Sequence, residues 1–413
     1  MKISSARKEI TPKESCYLCG HAMRTDKSEG ILDPLYCTAV TLESTNVKFC
    51  FASVDLAMMD KEGSEYIKEE VSKKTLINKE HIFIGATHTH SGPEFQINSS
   101  FSNESGKGAT PEYRNFLIET IISTMVESGD NLKSASAYFA KTMINGFYGN
   151  RNDINAPSDK SVNLVQFRDE SENTILTMVN LTCHSTVLGP HNLLISGDLH
   201  AAVRNKLEKE FKSSIFMMQG AAGDMSNRQY RKGEDPEELE YISDGIVKQL
   251  LVPLSWEKID DSIFVYQKFN YINNYTIPLE KIKEKLDKFI KELNNETNPV
   301  QQKLLISATT VLKSLVTSKK SEYSLELESS IIRIGKCIIV AVPAELFSKF
   351  AADIRKEFPD YNIIIWGYVN YSAGYLVEEK EYGKSFESIA SQIPKGEPEE
   401  YVSKIISEIK KVI

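Results

Sequence analysis

Five short apolar runs limit what this chain can fold into. Ile82–Ile84 is closed by Gly85. Thr174–Val179 runs into Asn180-Leu-Thr-Cys-His184, and Ser214–Met218 into Gln219-Gly-Ala-Ala-Gly-Asp-Met-Ser226. Cys337–Val342 runs into Pro343-Ala-Glu345, and Asn362–Trp366 into Gly367 and then Asn370-Tyr-Ser-Ala-Gly-Tyr375. Each has the length and apolar content of a buried strand, and each ends in a glycine, proline or polar turn that carries reactive side chains. Helical segments at His200–Phe211 and Glu345–Phe358 follow two of them. The pattern predicts an α/β fold of layered mixed β-sheets flanked by helices, with a site at the carboxyl ends of strands.

The intervening sequence fits the same plan. Tyr36–Leu42 and Lys48–Val54 read as strands, and Asp60–Lys74 as a charge-rich helix. Asn98–Gly108, rich in Ser, Asn and Gly, reads as a loop beside the strand that ends at Gly85. Pro111–Ser128 reads as an amphipathic helix with Phe116, Leu117, Ile121, Ile122 and Met125 on one side. Ile277–Asn294 and Pro299–Val316 are two helices joined by Asn295-Glu-Thr-Asn298, a helical hairpin insertion over residues 276–318 that would form a lid or an outer layer. A final helix covers Glu399–Val412.

Bulk properties exclude several classes. With 41% hydrophobic and 26% charged residues in 413, the chain has the composition of a soluble globular protein. A net charge of -8 without a dense Lys/Arg block argues against nucleic acid as a partner. No stretch approaches the roughly eighteen apolar residues of a membrane span. The first ten residues, Met1 to Ile10, lack the apolar core of a signal peptide, so a cytoplasmic location is expected. Six cysteines are scattered through the chain, and Cys16-x-x-Cys19 stands without a second pair. That is a weak signal for a zinc knuckle or a redox pair, and ordinary reduced thiols are the default.

The chemistry concentrates in Gly85-Ala-Thr-His-Thr-His-Ser-Gly-Pro93. In an extended segment His88 and His90, two apart, leave the backbone on the same face. Such a pair serves a metal or proton-transfer site, or is simply two hydrogen-bonded loop histidines. His184 can be a core histidine or a ligand, and Glu345 a ligand or an acid in the first turn of the following helix. Tyr375 can be a core aromatic, and Asp224-Met-Ser226 merely a capped turn. Their common placement at strand ends favours one site. Two histidines, a glutamate and an optional phenol suit Zn²⁺ with a position left for water, whose pKa falls to ~7 on binding.

These residues resemble the neutral/alkaline (non-lysosomal) ceramidase family from about Ile10 to Glu387. The resemblance lies in Ile10-Thr-Pro12, Gly30-Ile-Leu-Asp-Pro-Leu35, Ala86-Thr-His-Thr-His-Ser-Gly-Pro93, Asn150-Arg151, Ser196-Gly-Asp198, Gly223-Asp-Met-Ser226, Val342-Pro-Ala-Glu345 and Tyr371-Ser-Ala-Gly-Tyr375. It implies a single catalytic domain over residues 1–413, with Zn²⁺ held by His88, His184, Glu345 and Tyr375. It also implies that His90 and Arg151 face the substrate amide. Ser226 matches the serine of the family's Gly-Asp-Val-Ser-Pro-Asn hexapeptide, for which a nucleophilic role has been argued. Attack by zinc-bound water is favoured here, because no histidine near Ser226 in sequence stands out as its base.

The chain also departs from the family. Asn227-Arg228 replaces Pro-Asn of the hexapeptide, Asn152 follows Arg151 where the family has Ser-Pro, and Phe386 precedes Glu387 where the family has tyrosine. No immunoglobulin-like C-terminal domain or secretion signal is recognised, so a cut-down relative is expected. The resemblance therefore carries the hydrolytic centre further than the lipid substrate. The expected activity is zinc-dependent hydrolysis of a linear N-acyl amide, in a sphingolipid such as ceramide or in a smaller soluble N-acyl compound. The alternatives are an esterase or lactonase on the same centre, or a structural zinc protein with His90 and Arg151 turned away from the metal.

Overall fold

Alternate residues of the apolar strands enter different cores, as a period of two dictates. In Cys337–Ala341, Cys337, Ile339 and Ala341 join one cluster while Ile338 and Val340 join another. Ser214–Gln219 sends Phe216 and Met218 to the same first cluster and Ile215 and Met217 elsewhere. Val47–Val54 likewise separates Phe49 and Phe51 from Cys50, Ala52 and Val54. The first cluster is thus shared by three sheets, and Trp366 is buried within it. These relationships come from a computed structural model that describes residues 1–44, 47–97 and 108–413.

Each of the three large sheets is mixed, and each carries one parallel pair at its edge. The first sheet runs Ile82–Ala86, Val47–Val54, Tyr36–Ser44, Lys2–Glu9, Lys133–Ser134. The second runs Ser214–Gln219, Thr174–Leu181, Ser161–Arg168, Ser136–Met143, Glu257–Lys258. The third runs Phe264–Thr276, Glu322–Ile334, Cys337–Ala341, Asn362–Trp366. The parallel pairs are Val47–Val54 with Ile82–Ala86, Thr174–Leu181 with Ser214–Gln219, and Cys337–Ala341 with Asn362–Trp366. A parallel pair needs a crossover, and the helices Lys61–Thr75, Asp198–Phe211 and Ser348–Glu357 supply the three. The crossover helices cover the outer faces of their sheets, joined by Pro111–Glu127, Pro236–Leu250 and Glu397–Ile409.

The carboxyl ends of the edge strands meet through backbone hydrogen bonds. Asn370 N donates to Ile84 O (2.6 Å), and Gly367 N to Gln219 O (2.9 Å). This close approach needs a residue without a side chain: a Cβ on Gly85 would lie 2.5 Å from the Trp366 ring. The expected site position at strand ends therefore becomes a junction of three strand ends.

The hairpin insertion is present as helices Leu279–Asn295 and Pro299–Ser318. It sits at the tip of the antiparallel pair Phe264–Thr276 and Glu322–Ile334, which stays in register over all 13 residues. Its apolar face (Leu286, Val311, Leu312, Leu315) packs against Phe386, Ile389, Ala390 and Tyr375.

Two expectations need correction. Phe116 does not share the buried face of its helix; it is exposed, while Leu117, Ile121, Ile122 and Met125 are buried. The helix expected from Glu345 begins only at Ser348, because Glu345 and Leu346 pair as a short strand with Tyr375 and Leu376. Cys16 and Cys19 form no disulfide and belong to no metal-ligating cluster among the described residues. Residues 98–107 of the Asn98–Gly108 stretch lie outside the described residues. Among those described, no helix is long and apolar enough to cross a membrane.

Candidate metal centre

His88 does not continue the strand before it. Thr87 N and His88 N donate to Val54 O and Leu56 O across the neighbouring strand end, and His88 takes a left-handed φ of 62°. The expectation of an extended segment fails here. This turn, not strand alternation, brings the His88 and His90 rings together, with centroids 4.7 Å apart and Nε2 atoms at 3.1 Å. The His184 turn is joined to it by a bridge between Thr89 and Ser185 and by His90 N donating to Ser185 O (3.2 Å). Glu345 arrives from the third sheet. Its parallel pairing sets it opposite Tyr375, and Glu345 N donates to Gly374 O (2.9 Å).

The donor atoms converge. Glu345 Oε2 lies 3.5 Å from His88 Nε2 and 3.5 Å from His184 Nε2. The opposite ring nitrogens face carbonyls, His88 Nδ1 to Ala57 O (2.7 Å) and His184 Nδ1 to Ala222 O (2.6 Å). A carbonyl only accepts, so each Nδ1 carries the proton and each Nε2 lone pair turns inward. His184 Nε2 is buried and has no hydrogen-bond partner among the described residues. His88, His90 and His184 together form a cluster with metal-ligand spacing.

Electrostatics give this arrangement a sense. Burial pulls the His88 imidazole down to about 3 and holds His90 and His184 well below the ordinary value, so all three stay neutral. Burial also pushes the Glu345 carboxyl up to about 7, against the opposing pull of Arg151. Neutral imidazole lone pairs beside a buried carboxylate are what a divalent cation replaces protons to hold. The donor set fits a borderline metal such as Zn²⁺.

The centre is walled by residues that the sequence pattern alone does not reveal. The Tyr368 ring lies 4.2 Å from that of His88, and its hydroxyl donates to Glu345 Oε2 (3.3 Å). Gly367, which closes its strand, is the only nearby sequence signal. Glu387 is fully buried and receives Arg151 Nε at 2.5 Å, while Asn152 Nδ2 donates to its other oxygen at 3.0 Å. Nothing local marks Glu387 for this role, because Arg151 is far away in sequence. Arg151 Nη2 also donates to Gly223 O (2.8 Å), and its guanidinium lies 5.5 Å from the centre of the Tyr375 ring. The Arg151 charge is felt at His88, His184 and Glu345. Burial is the largest single influence and opposes that charge, but Glu387, Tyr375 and Glu345 together outweigh it and keep Arg151 protonated.

The remaining candidates sit close by. Tyr375 stacks at 6.4 Å and 13° on the His184 ring, and burial raises its phenol. Ser226 is buried and pairs with Gly149 in a short antiparallel bridge; its Oγ accepts from Arg228 N (3.1 Å), and among the described residues no histidine bonds it. Asp224 accepts from Ser348 N (2.7 Å), Ser348 Oγ (3.0 Å) and Asn150 Nδ2 (2.9 Å), so it is scaffold. Asp198 is likewise scaffold, accepting from Val187 N and Leu188 N. His88, His90, His184, Glu345, Tyr375 and Arg151 are therefore brought together, with Ser226 at the margin.

Three helix-backed sheets with a histidine–carboxylate centre at their meeting strand ends define a layered α/β protein with a candidate metal site. The chain belongs to the neutral/alkaline non-lysosomal ceramidase family, whose N-terminal description matches residues 2–227. That is a family of hydrolases acting on amide bonds. The fold is similar to a neutral ceramidase from Pseudomonas aeruginosa, at a TM-score of 0.73 and 16% identity, over 98% of this chain and 73% of that one. It is equally similar to a ceramidase complexed with C2, at a TM-score of 0.73 and 14% identity, over 98% and 74% of the two chains. No curated protein matches in sequence.

Proposed function

We propose that the chain is a zinc-dependent hydrolase that cleaves a linear N-acyl amide, in a ceramide-like lipid or a smaller N-acyl compound. The observation that carries this is the convergence of the buried His88 and His184 Nε2 atoms on Glu345 Oε2. His88, His184, Glu345 and Tyr375 would hold the ion. When bound, the ion supplies Lewis acidity to the acyl carbonyl and lowers the pKa of a water. Arg151, held in place by Glu387 and Gly223, contributes a fixed positive charge toward the oxyanion that forms on the carbonyl. His90, its Nε2 turned toward His88, is placed to donate a hydrogen bond or pass a proton at the same atom. Water is the nucleophile, because the described partner of Ser226 Oγ is a backbone amide and not a base.

The test is elemental analysis of wild type beside His88→Ala, with hydrolysis of matched N-acyl amides and esters by both. One zinc per chain, lost together with amide hydrolysis in the variant, is expected. Preference for the ester would move the function to an esterase, and stoichiometric zinc without turnover would make the site structural.

A further inference from the structure

Arg228 stands out in the charge balance around the centre. Arg151 is paired with Glu387, and Arg231 bonds Glu234 and the carbonyls of Thr186 and Val187. Arg24 bonds the carbonyls of His90 and Gly189. Arg228 has no hydrogen-bond or ion-pair partner for its guanidinium among the described residues, in a protein of net charge -8. Both oxygens of Glu387, the carboxylate whose charge is felt at Arg228, already accept from Arg151 and Asn152.

Its position is set by the backbone. Arg228 N donates to Ser226 Oγ, and Tyr230 N and Arg231 N donate to Asn227 O (2.8 and 2.9 Å), which locks the turn. Gln229 Nε2 donates to Arg151 O (3.1 Å) and fastens the turn to the arginine that faces the centre. The Arg228 side chain is solvent-exposed yet crowded by protein, within electrostatic reach of Arg151, Glu387 and Tyr375. Crowding, and then the like charge of Arg151, lower its guanidinium to about 10. Beside it, Asn227 is fully buried, and neither atom of its amide has a partner among the described residues. An accessible cation next to a like charge, with its carboxylate already used, is a seat for an anion brought by a ligand.

Resting on the amide-hydrolase reading of the centre, we propose that Arg228 determines specificity by binding an anionic group, carboxylate or phosphate, carried by the N-acyl substrate. A neutral sphingolipid would leave this cation unanswered. An N-acylated compound with an acidic headgroup would answer it, at the position where the family hexapeptide carries asparagine.

The experiment compares wild type, Arg228→Gln and Arg228→Lys on three probes with one acyl chain: N-acyl glycine, N-acyl phosphoethanolamine and N-acyl ethanolamine. Binding is measured by calorimetry and turnover separately, with zinc content and thermal midpoint recorded for each variant. Wild type is expected to bind one anionic probe at least tenfold tighter than the neutral one, and whichever it prefers identifies the group. Arg228→Gln should lower the anionic-to-neutral ratio of kcat/KM about tenfold, mainly through KM, with Arg228→Lys retaining part of it. Equal binding of anionic and neutral probes to wild type, or an unchanged ratio in Arg228→Gln, overturns the assignment. Because binding is read apart from turnover, an inactive centre would overturn the hydrolase reading while leaving the role of Arg228 decided.

Discussion

Glu387 neutralises Arg151 inside the protein: both side chains are buried, and they lie 236 positions apart in the chain. Breaking such a pair strands a charge in a low-dielectric interior. Glu387→Ala is expected to cost about 3–5 kcal/mol of stability and to lower kcat/KM, because Arg151 loses its seat. Urea unfolding of the variant provides the check. A loss below about 1 kcal/mol, the scale of an exposed pair, would mean that Arg151 is held by Gly223 and its other neighbours alone.

Gly20 separates two roles for His90. It has a φ of 91°, and a Cβ there would lie 2.3 Å from His90 Cγ. Gly20→Ala must therefore push the imidazole aside. If His90 faces substrate, zinc content stays near one per chain while kcat/KM falls roughly a hundredfold, the usual scale for a misplaced catalytic group. Loss of zinc in the same variant would instead make His90 a ligand.

Ser226→Ala asks which atom attacks. With water as nucleophile, the hydroxyl serves to hold Arg228 N and the local turn. Activity should stay within about tenfold of wild type, with no burst of acyl-enzyme. A fall of about 10⁴ or more, with the burst abolished, would assign the attack to Ser226.

Asp224 gives stability a pH dependence opposite to that of a paired surface carboxylate. Burial raises its carboxyl from 3.8 to about 7 despite the hydrogen bonds from Ser348. Between those values the folded chain holds a proton that the unfolded chain has released, so this group makes stability fall as pH rises through that window. Asp224→Asn should remove this contribution, at most about 1.4 kcal/mol per pH unit. Unfolding free energies of wild type and variant at pH 4.5, 5.5, 6.5 and 7.5 measure it, and parallel slopes would refute it.

Much of the scaffold was legible because it follows from short-range rules. The five apolar runs are all strands, and the two insertion helices fall within a few residues of their expected bounds. The grouping of His88, His184, Glu345 and Tyr375 could be anticipated from their common place after strands. Alternation says that a strand has two faces, but not that one face of three sheets meets in a common core. Glu345 looked like the start of a helix, since only its pairing with Tyr375 makes it a strand residue. Tyr368 carries no local mark, and Glu387 is marked only by its place in the family pattern, without a role. Their roles come from a ring laid on His88 and a charge matched to Arg151, contacts that exist only after folding.

The helical hairpin is attached to the layered sheets at two kinds of joint. One is covalent, the tip of a ladder that pairs 13 residues without a slip; the other is an apolar patch shared with Phe386 and Tyr375. Segments between Thr276 and Glu322 can thus be exchanged without re-registering a strand, while the side chains they present still touch a residue of the centre. For a protein engineer that is an adapter socket: a place where the element packed against Tyr375 can be replaced and the chemistry left standing.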